Sequence, residues 1–126
     1  MIDLEQDKVL KFLMDSKTWA GQIPERVDTH ISAVFLIGQK AYKLKKAVHL
    51  PFVDFSTLPL RHRACRREIE VNRVWAQCLY EGVLAITRQS DGSLALDSTG
   101  EIVDYLVVMR RFDAHAGLGD AWARQG

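Results

Sequence analysis

Apolar and polar positions change period several times along the chain, and each change predicts an element. Over residues 3 to 15, Val9, Leu10, Phe12, Leu13 and Met14 fall on one side of a helical wheel and Asp7, Lys8 and Lys11 toward the other, which predicts a short amphipathic helix. Residues 16 to 25 lose that period and contain Gly21 and Pro24, so they read as a loop. From Arg26 to Ile37 the chain turns rich in β-formers, including Val27, Ile31, Val34, Phe35, Leu36 and Ile37. Gly38-Gln39 then supplies a short turn and Ala41 to Val48 a second strand, so residues 30 to 48 predict a β-hairpin that ends at Pro51.

The helical period returns at Leu58. Asp54, Ser56 and Thr57 supply possible N-caps, and the pattern runs to about Tyr80 as the longest helix in the chain. Pro59 fits because it falls in the first turn, where the backbone N–H has no intrahelical acceptor in any case. Gly82 closes the helix. The remainder is β again: Val83 to Thr87, a turn at Ser90-Asp91-Gly92, a short strand Ser93 to Leu96, a turn near Ser98-Thr99-Gly100, and Ile102 to Arg110. The last strand is apolar from Tyr105 to Met109 apart from the tyrosine hydroxyl, as a central strand covered on both faces is expected to be. After Asp113 the tail is rich in Gly and Ala and has no period.

Two features do not fit a plain core. Alternation along the second hairpin strand puts Ala41, Lys43, Lys45 and Ala47 on one face and Tyr42, Leu44, Lys46 and Val48 on the other, so two lysines follow a small residue on the same side. These lysines are either charged guards on an edge strand or cations aimed at a partner, with space beside Ala41 for a flat ring. On the long helix, a wheel puts Leu58, Leu60, Ala64, Cys65, Ile69, Val71, Trp75, Ala76, Cys78 and Leu79 in one apolar arc, with Glu68 near its middle. Glu70, Arg66, Arg73 and Gln77 fall on the opposite face. A carboxylate inside a core-facing stripe is costly to bury without a cation. Its partner is either local, at Arg61 or Asn72 in the same arc, or the strand lysine Lys43.

Composition narrows the classes. A chain of 126 residues that is 48% hydrophobic suits one domain. A formal net charge of +1 excludes a polybasic nucleic-acid binder, and Arg61, Arg63, Arg66, Arg67 and Arg73 do not share one helix face. No run approaches the roughly 18 consecutive apolar residues of a membrane span, and the acidic N-terminus lacks the form of a signal peptide, so a soluble cytoplasmic protein is expected. Cys65 and Cys78 fall several turns apart on one predicted helix and are expected as reduced core thiols. No metal-ligand spacing occurs.

The order of elements, a hairpin bearing Ala41-x-Lys43, a helix bearing an inward Glu68, and strands ending in an apolar run, resembles the N-terminal lobe of protein-kinase-like folds. More specifically, Asp28-Thr29-His30-Ile31-Ser32, Ala41-Tyr42-Lys43-Leu44-Lys45, Asp54-Phe55-Ser56-Thr57-Leu58, Glu68 through Asn72-Arg73 and Val108-Met109-Arg110-Arg111-Phe112 resemble the start of the bacterial aminoglycoside-phosphotransferase-like family, whose members often carry a P-loop ATPase domain as well. The resemblance implies an α+β kinase-like N-lobe over residues 1–113, with an antiparallel sheet of about five strands, one long packed helix and an N-terminal helix, followed by an irregular tail over 114–126. It implies that Lys43 contacts the phosphates of ATP and that Glu68 holds it in place, with Lys45 as the alternative. Ala41 would line the adenine pocket, Met109, Arg110, Arg111 and Phe112 would form the hinge, and Thr29, His30 and Ser32 would lie where the phosphate-covering loop does. Pro59 stands where relatives usually have an acid, which removes a capping box. Because the catalytic-loop aspartate and the Mg²⁺ ligands of such folds lie in the C-terminal lobe, no catalytic residue is expected here. The chain is expected to be a truncated lobe, inactive alone, that takes up Mg²⁺ only with a C-terminal lobe. The competing expectation is a non-enzymatic module docking on a separate C-terminal lobe or another protein through apolar surface around Phe112.

Overall fold

The computed structural model describes residues 4–73 and 80–110. In chain order these form helix α1 (Leu4–Met14), a 3-10 turn (Ser16–Trp19), strands β1 (Glu25–Asp28), β2 (Ser32–Ile37), β3 (Lys40–Lys45), β4 (His49–Leu50) and β5 (Val53–Asp54), helix α2 (Leu58–Arg73), and strands β6 (Tyr80–Arg88), β7 (Leu94–Leu96) and β8 (Glu101–Arg110). The fold is mixed α+β. A six-stranded antiparallel sheet runs in the order β1-β2-β3-β8-β6-β7, and β4 and β5 form a separate two-stranded ribbon.

The hairpin expected over residues 30 to 48 is present as β2 and β3, with Ile37 opposite Lys40 across the turn and Gly38 at φ +58. A third strand, β1, precedes it. The β-rich stretch from Arg26 is therefore broken in two, because Thr29 turns the chain: its hydroxyl accepts from the Ile31 and Ser32 backbone N–H groups. Pro51 does not end β structure either. It lies in the turn of the β4–β5 ribbon, where Leu50 pairs with Val53.

Thr57 caps α2, its hydroxyl accepting from the Leu60 N–H at 3.4 Å. The helical reading to Tyr80 needs correction, since Tyr80 begins β6 and faces Met109 of β8. Trp75, Ala76, Gln77, Cys78 and Leu79 lie outside the described residues, as do Arg111, Phe112 and the tail. Val71, placed in the apolar arc by the wheel, is 56% exposed. The sheet covers the earlier turns of α2 and leaves that position to solvent.

The helices pack on opposite faces of the sheet. Val9 and Leu13 of α1 join Ala33, Phe35, Leu44, Ile86 and Leu106 on one face, with Trp19 closing the end and donating its indole N–H to the Leu13 carbonyl. On the other face Cys65 of α2 meets Val34, Leu36, Ala41, Val107 and Met109. Strand β8 lies between β3 and β6, covered on both faces, which accounts for its apolar run. A bulge near Val103, where Ile86 pairs with Asp104 but Thr87 with Ile102, resets the alternation and turns Val103 toward the α1 side.

Candidate functional site

Strand β3 is an interior strand, bonded to β2 on one side and β8 on the other, so its lysines guard no edge. Its alternation holds as the sequence implies: Tyr42 and Leu44 pack toward the α1 layer, and Ala41 packs against Cys65 of α2. Lys43 and Lys45 therefore point at α2, where one carboxylate receives both. Lys43 Nζ lies 3.5 Å from Glu68 Oε2, and Lys45 Nζ makes the closer pair with Glu68 Oε1. The three side chains are only 15%, 8% and 11% exposed, respectively. The Tyr80 hydroxyl donates to Glu68 Oε2 at 3.1 Å, and the Lys45 ammonium lies 5.7 Å from the centre of the Phe55 ring.

Charge and burial oppose each other here. Burial pushes the Glu68 carboxyl up, but Lys45, Lys43 and the hydrogen bonds outweigh it, and the group ends below the ordinary carboxylate range. Burial holds the Lys43 ammonium below the usual lysine range, with Glu68 pulling the other way and Lys45 adding to the depression. Tyr80 is pushed up by burial and by Glu68, which fixes it as a neutral donor. The Cys65 thiol, packed beside the cluster, is pushed up to about 12 chiefly by burial and stays protonated. Among the described residues, two ammonium groups against one carboxylate leave the cluster with one positive charge.

Ser32 adds a second irregularity. Its Cα partner across β2–β3 is Lys45, so its side chain stands on the same side of the sheet as the two lysines. The hydroxyl is buried and has no hydrogen-bond partner among the described residues. A buried hydroxyl without a partner costs free energy, and an oxyanion placed beside the lysines is one group that would satisfy it.

The other candidate residues divide. Ala41 and Met109 are Cα partners across β3–β8, both buried on the α2 face. Arg110 is exposed, 3.9 Å from Glu81. Thr29 is occupied in the turn, its carbonyl accepting from Lys46 Nζ at 2.7 Å, and His30 is exposed. Lys46 also pairs with Asp28 at 3.0 Å. Arg111 and Phe112 lie outside the described residues, as does the apolar surface expected around Phe112. Among the described residues no cluster of His, Cys, Asp and Glu could hold a metal ion, and no helix is long and apolar enough to cross a membrane.

A buried network beside the cluster was missed by pattern reading. Asp104 of β8 is fully buried, accepting from Arg61 Nε at 3.1 Å, Gln6 Nε2 at 3.1 Å and the Tyr105 N–H at 2.9 Å. Arg61 is thereby committed to Asp104 and to the Phe55 carbonyl, at 3.0 Å, rather than to Glu68. The available signal was Asp104 itself, a carboxylate interrupting the apolar strand Ile102–Met109.

No family model matches the chain, and no solved structure matches it with significance. It is similar to proteins described as uncharacterized in Mycobacterium bovis and in two strains of Mycobacterium tuberculosis, each 38% identical over 85 residues, or 68% of this chain. The chain spans about 15% of the length of these curated relatives.

Proposed function

We propose that the chain is the nucleotide-binding N-terminal lobe of an aminoglycoside-phosphotransferase-like small-molecule kinase. The observation that carries this reading is the buried cluster of Lys43, Lys45 and Glu68 on the α2 face of the sheet, with its surplus positive charge and the unsatisfied Ser32 hydroxyl beside it. An apolar core gains nothing from two buried ammonium groups on one acid, whereas a polyphosphate gains a fixed cation and a hydroxyl donor. The pairing of Ala41 with Met109 supports an adenine-side wall next to the lysines. The element order, three antiparallel strands, a helix carrying the inward acid and the covered strand β8 next to β3, supports the same reading.

In this reading Glu68 is a positioning group, holding a lysine that contacts phosphate oxygens. Lys45 makes the closer pair with Glu68, which leaves Lys43 as the cation with more freedom to engage a ligand. Bound ATP would supply the phosphoryl group. The residues that orient an acceptor hydroxyl and hold Mg²⁺ would come from a C-terminal lobe. The test is calorimetric titration of ATP with Mg²⁺ into this chain and into a longer chain that adds a C-terminal lobe after residue 126. Weak binding to the first, firm binding to the second and loss of that binding in Lys43→Met are expected. Silence of the longer chain, or no effect of Lys43→Met within it, overturns the reading.

A further inference from the structure

Gln6 lies on α1, on the opposite face of the sheet from Glu68, and is only 5% exposed. Among the described residues its side-chain amide makes hydrogen bonds to β3, to β8 and to the loop that follows β3. Nε2 donates to the Lys45 carbonyl at 2.8 Å and to Asp104 Oδ2 at 3.1 Å, while Oε1 accepts from the Ala47 N–H at 2.7 Å. The first and last of these clamp the end of β3 around Lys45. The second reaches Asp104, whose other carboxylate oxygen accepts from Arg61 Nε. Arg61 stands on α2 seven residues before Glu68, two turns away and on the same side. A closed circuit results: the Gln6 amide holds the Lys45 backbone, the Lys45 ammonium holds Glu68, α2 connects Glu68 to Arg61, and Arg61 returns through Asp104 to Gln6.

We infer that Gln6 is a positioning residue for the two-lysine site, setting, together with Asp104 and Arg61, where Glu68 stands against Lys43 and Lys45. The linkage deepens the nucleotide-site reading and rests on it for the site's purpose, but its geometry is independent of any ligand. Gln6, Lys45, Arg61 and Asp104 are buried, so an alternative partner in water is not at hand for them, and loss of one contact leaves an unsatisfied group rather than a hydrated one. Docking of α1 on one face is thereby linked to the placement of the acid on the other. A buried network of this kind behaves as a unit with few discrete arrangements.

The test reads the site without nucleotide, so it separates failure of this linkage from failure of the proposed function. Gln6→Met keeps the length and apolar packing of the side chain and removes these hydrogen bonds. Trp19→Phe serves as a control, loosening the base of α1 at the Leu13 carbonyl without touching the circuit. The Glu68 carboxyl, faced by Lys43, Lys45, Tyr80 and Cys65, is followed by carbon NMR in each folded protein. An upward move of its midpoint by about one pH unit in Gln6→Met, absent in Trp19→Phe, is expected. An unchanged midpoint in Gln6→Met, or an equal move in both variants, overturns the inference.

If Gln6→Met does not fold, the circuit is read from the other side. Arg61→Lys retains the charge opposite Asp104 but loses the planar fork that joins it to the Phe55 carbonyl. Amide exchange at Ala47, whose N–H is held by Gln6, is compared with that at Asp97, whose N–H is bonded to the Ala85 carbonyl in the far hairpin. Acceleration at Ala47 of at least about fivefold relative to Asp97 is expected, and an unchanged ratio overturns the inference.

Discussion

Replacing Glu68 by Gln keeps the shape of the side chain and removes the one negative charge that, among the described residues, pairs with the two buried ammonium groups. At 3.5 Å and an effective dielectric of about 20, the Lys43–Glu68 attraction alone is roughly 5 kcal/mol. Much of that offsets desolvation, so the measurable loss is the penalty of stranding buried charge, about 3–5 kcal/mol. Lys45→Met perturbs the same cluster differently. It removes one ammonium together with its burial cost, leaves Glu68 paired with Lys43 and Tyr80, and fills the space with an apolar chain of similar length, so the loss is expected to stay below about 1.5 kcal/mol. Adding Lys45→Met to Glu68→Gln is then expected to recover part of the stability. Urea unfolding resolves these differences: with a slope of about 1–3 kcal/mol per molar, Glu68→Gln lowers the midpoint by roughly 2 M. Domains are stable by only about 5–15 kcal/mol, so that variant sits near the limit of folding. The pH dependence gives an independent sign. Without Glu68, burial depresses Lys43 further, the unfolded chain binds more protons than the folded one, and stability rises as pH climbs toward the ordinary lysine range near 10.5. If Lys45→Met destabilises as much as Glu68→Gln, or if the double variant is worse than Glu68→Gln alone, the charge-balance account is wrong.

Other outcomes follow from the same packing. Glu68, held below its usual pKa near 4.5, contributes stability that is present above that value and lost as pH falls through its depressed one; the acid limb of a stability profile is expected to flatten in Glu68→Gln. The Cys65 thiol is fully buried and pushed up to about 12, so in Cys78→Ser it is expected to stay silent to Ellman's reagent at pH 8 until the protein unfolds; prompt reaction of the folded protein would contradict the packing. Gly100 has φ +138, and an added Cβ would stand 2.4 Å from the Arg88 carbonyl oxygen. Gly100→Ala is therefore expected to cost more than about 1 kcal/mol and to lower Tm by several degrees, and a neutral result would refute the geometry of the β7–β8 connection.

Much of the sheet was legible because its signals are local. Alternation in β3 sorted Lys43 and Lys45 from Tyr42 and Leu44, Gly38 marked the hairpin, and the apolar run of β8 announced a covered strand. The helix was less so. A wheel has no information about where its neighbour ends, which is why Val71 reads as core and is exposed, and why Tyr80 reads as helix although β8 draws it into a strand. The division of β1 from β2 was also hidden, since it depends on the Thr29 hydroxyl capturing backbone N–H groups that could equally have continued a ladder.

The sequence by itself determined that two lysines share one face of a strand and that an acid sits inside the apolar stripe of a helix. Periodicity fixes the side of its own element on which a residue lies. Only the tertiary structure decided that both lysines meet that acid, that Lys45 makes the closer pair, and that Arg61 turns away to Asp104 while Gln6 reaches across 98 residues to the same carboxylate. The physical reason is that a buried charge is stabilised by whichever opposite charge the packing of other elements brings to it, and that choice is made by sheet order and helix placement rather than by spacing along the chain.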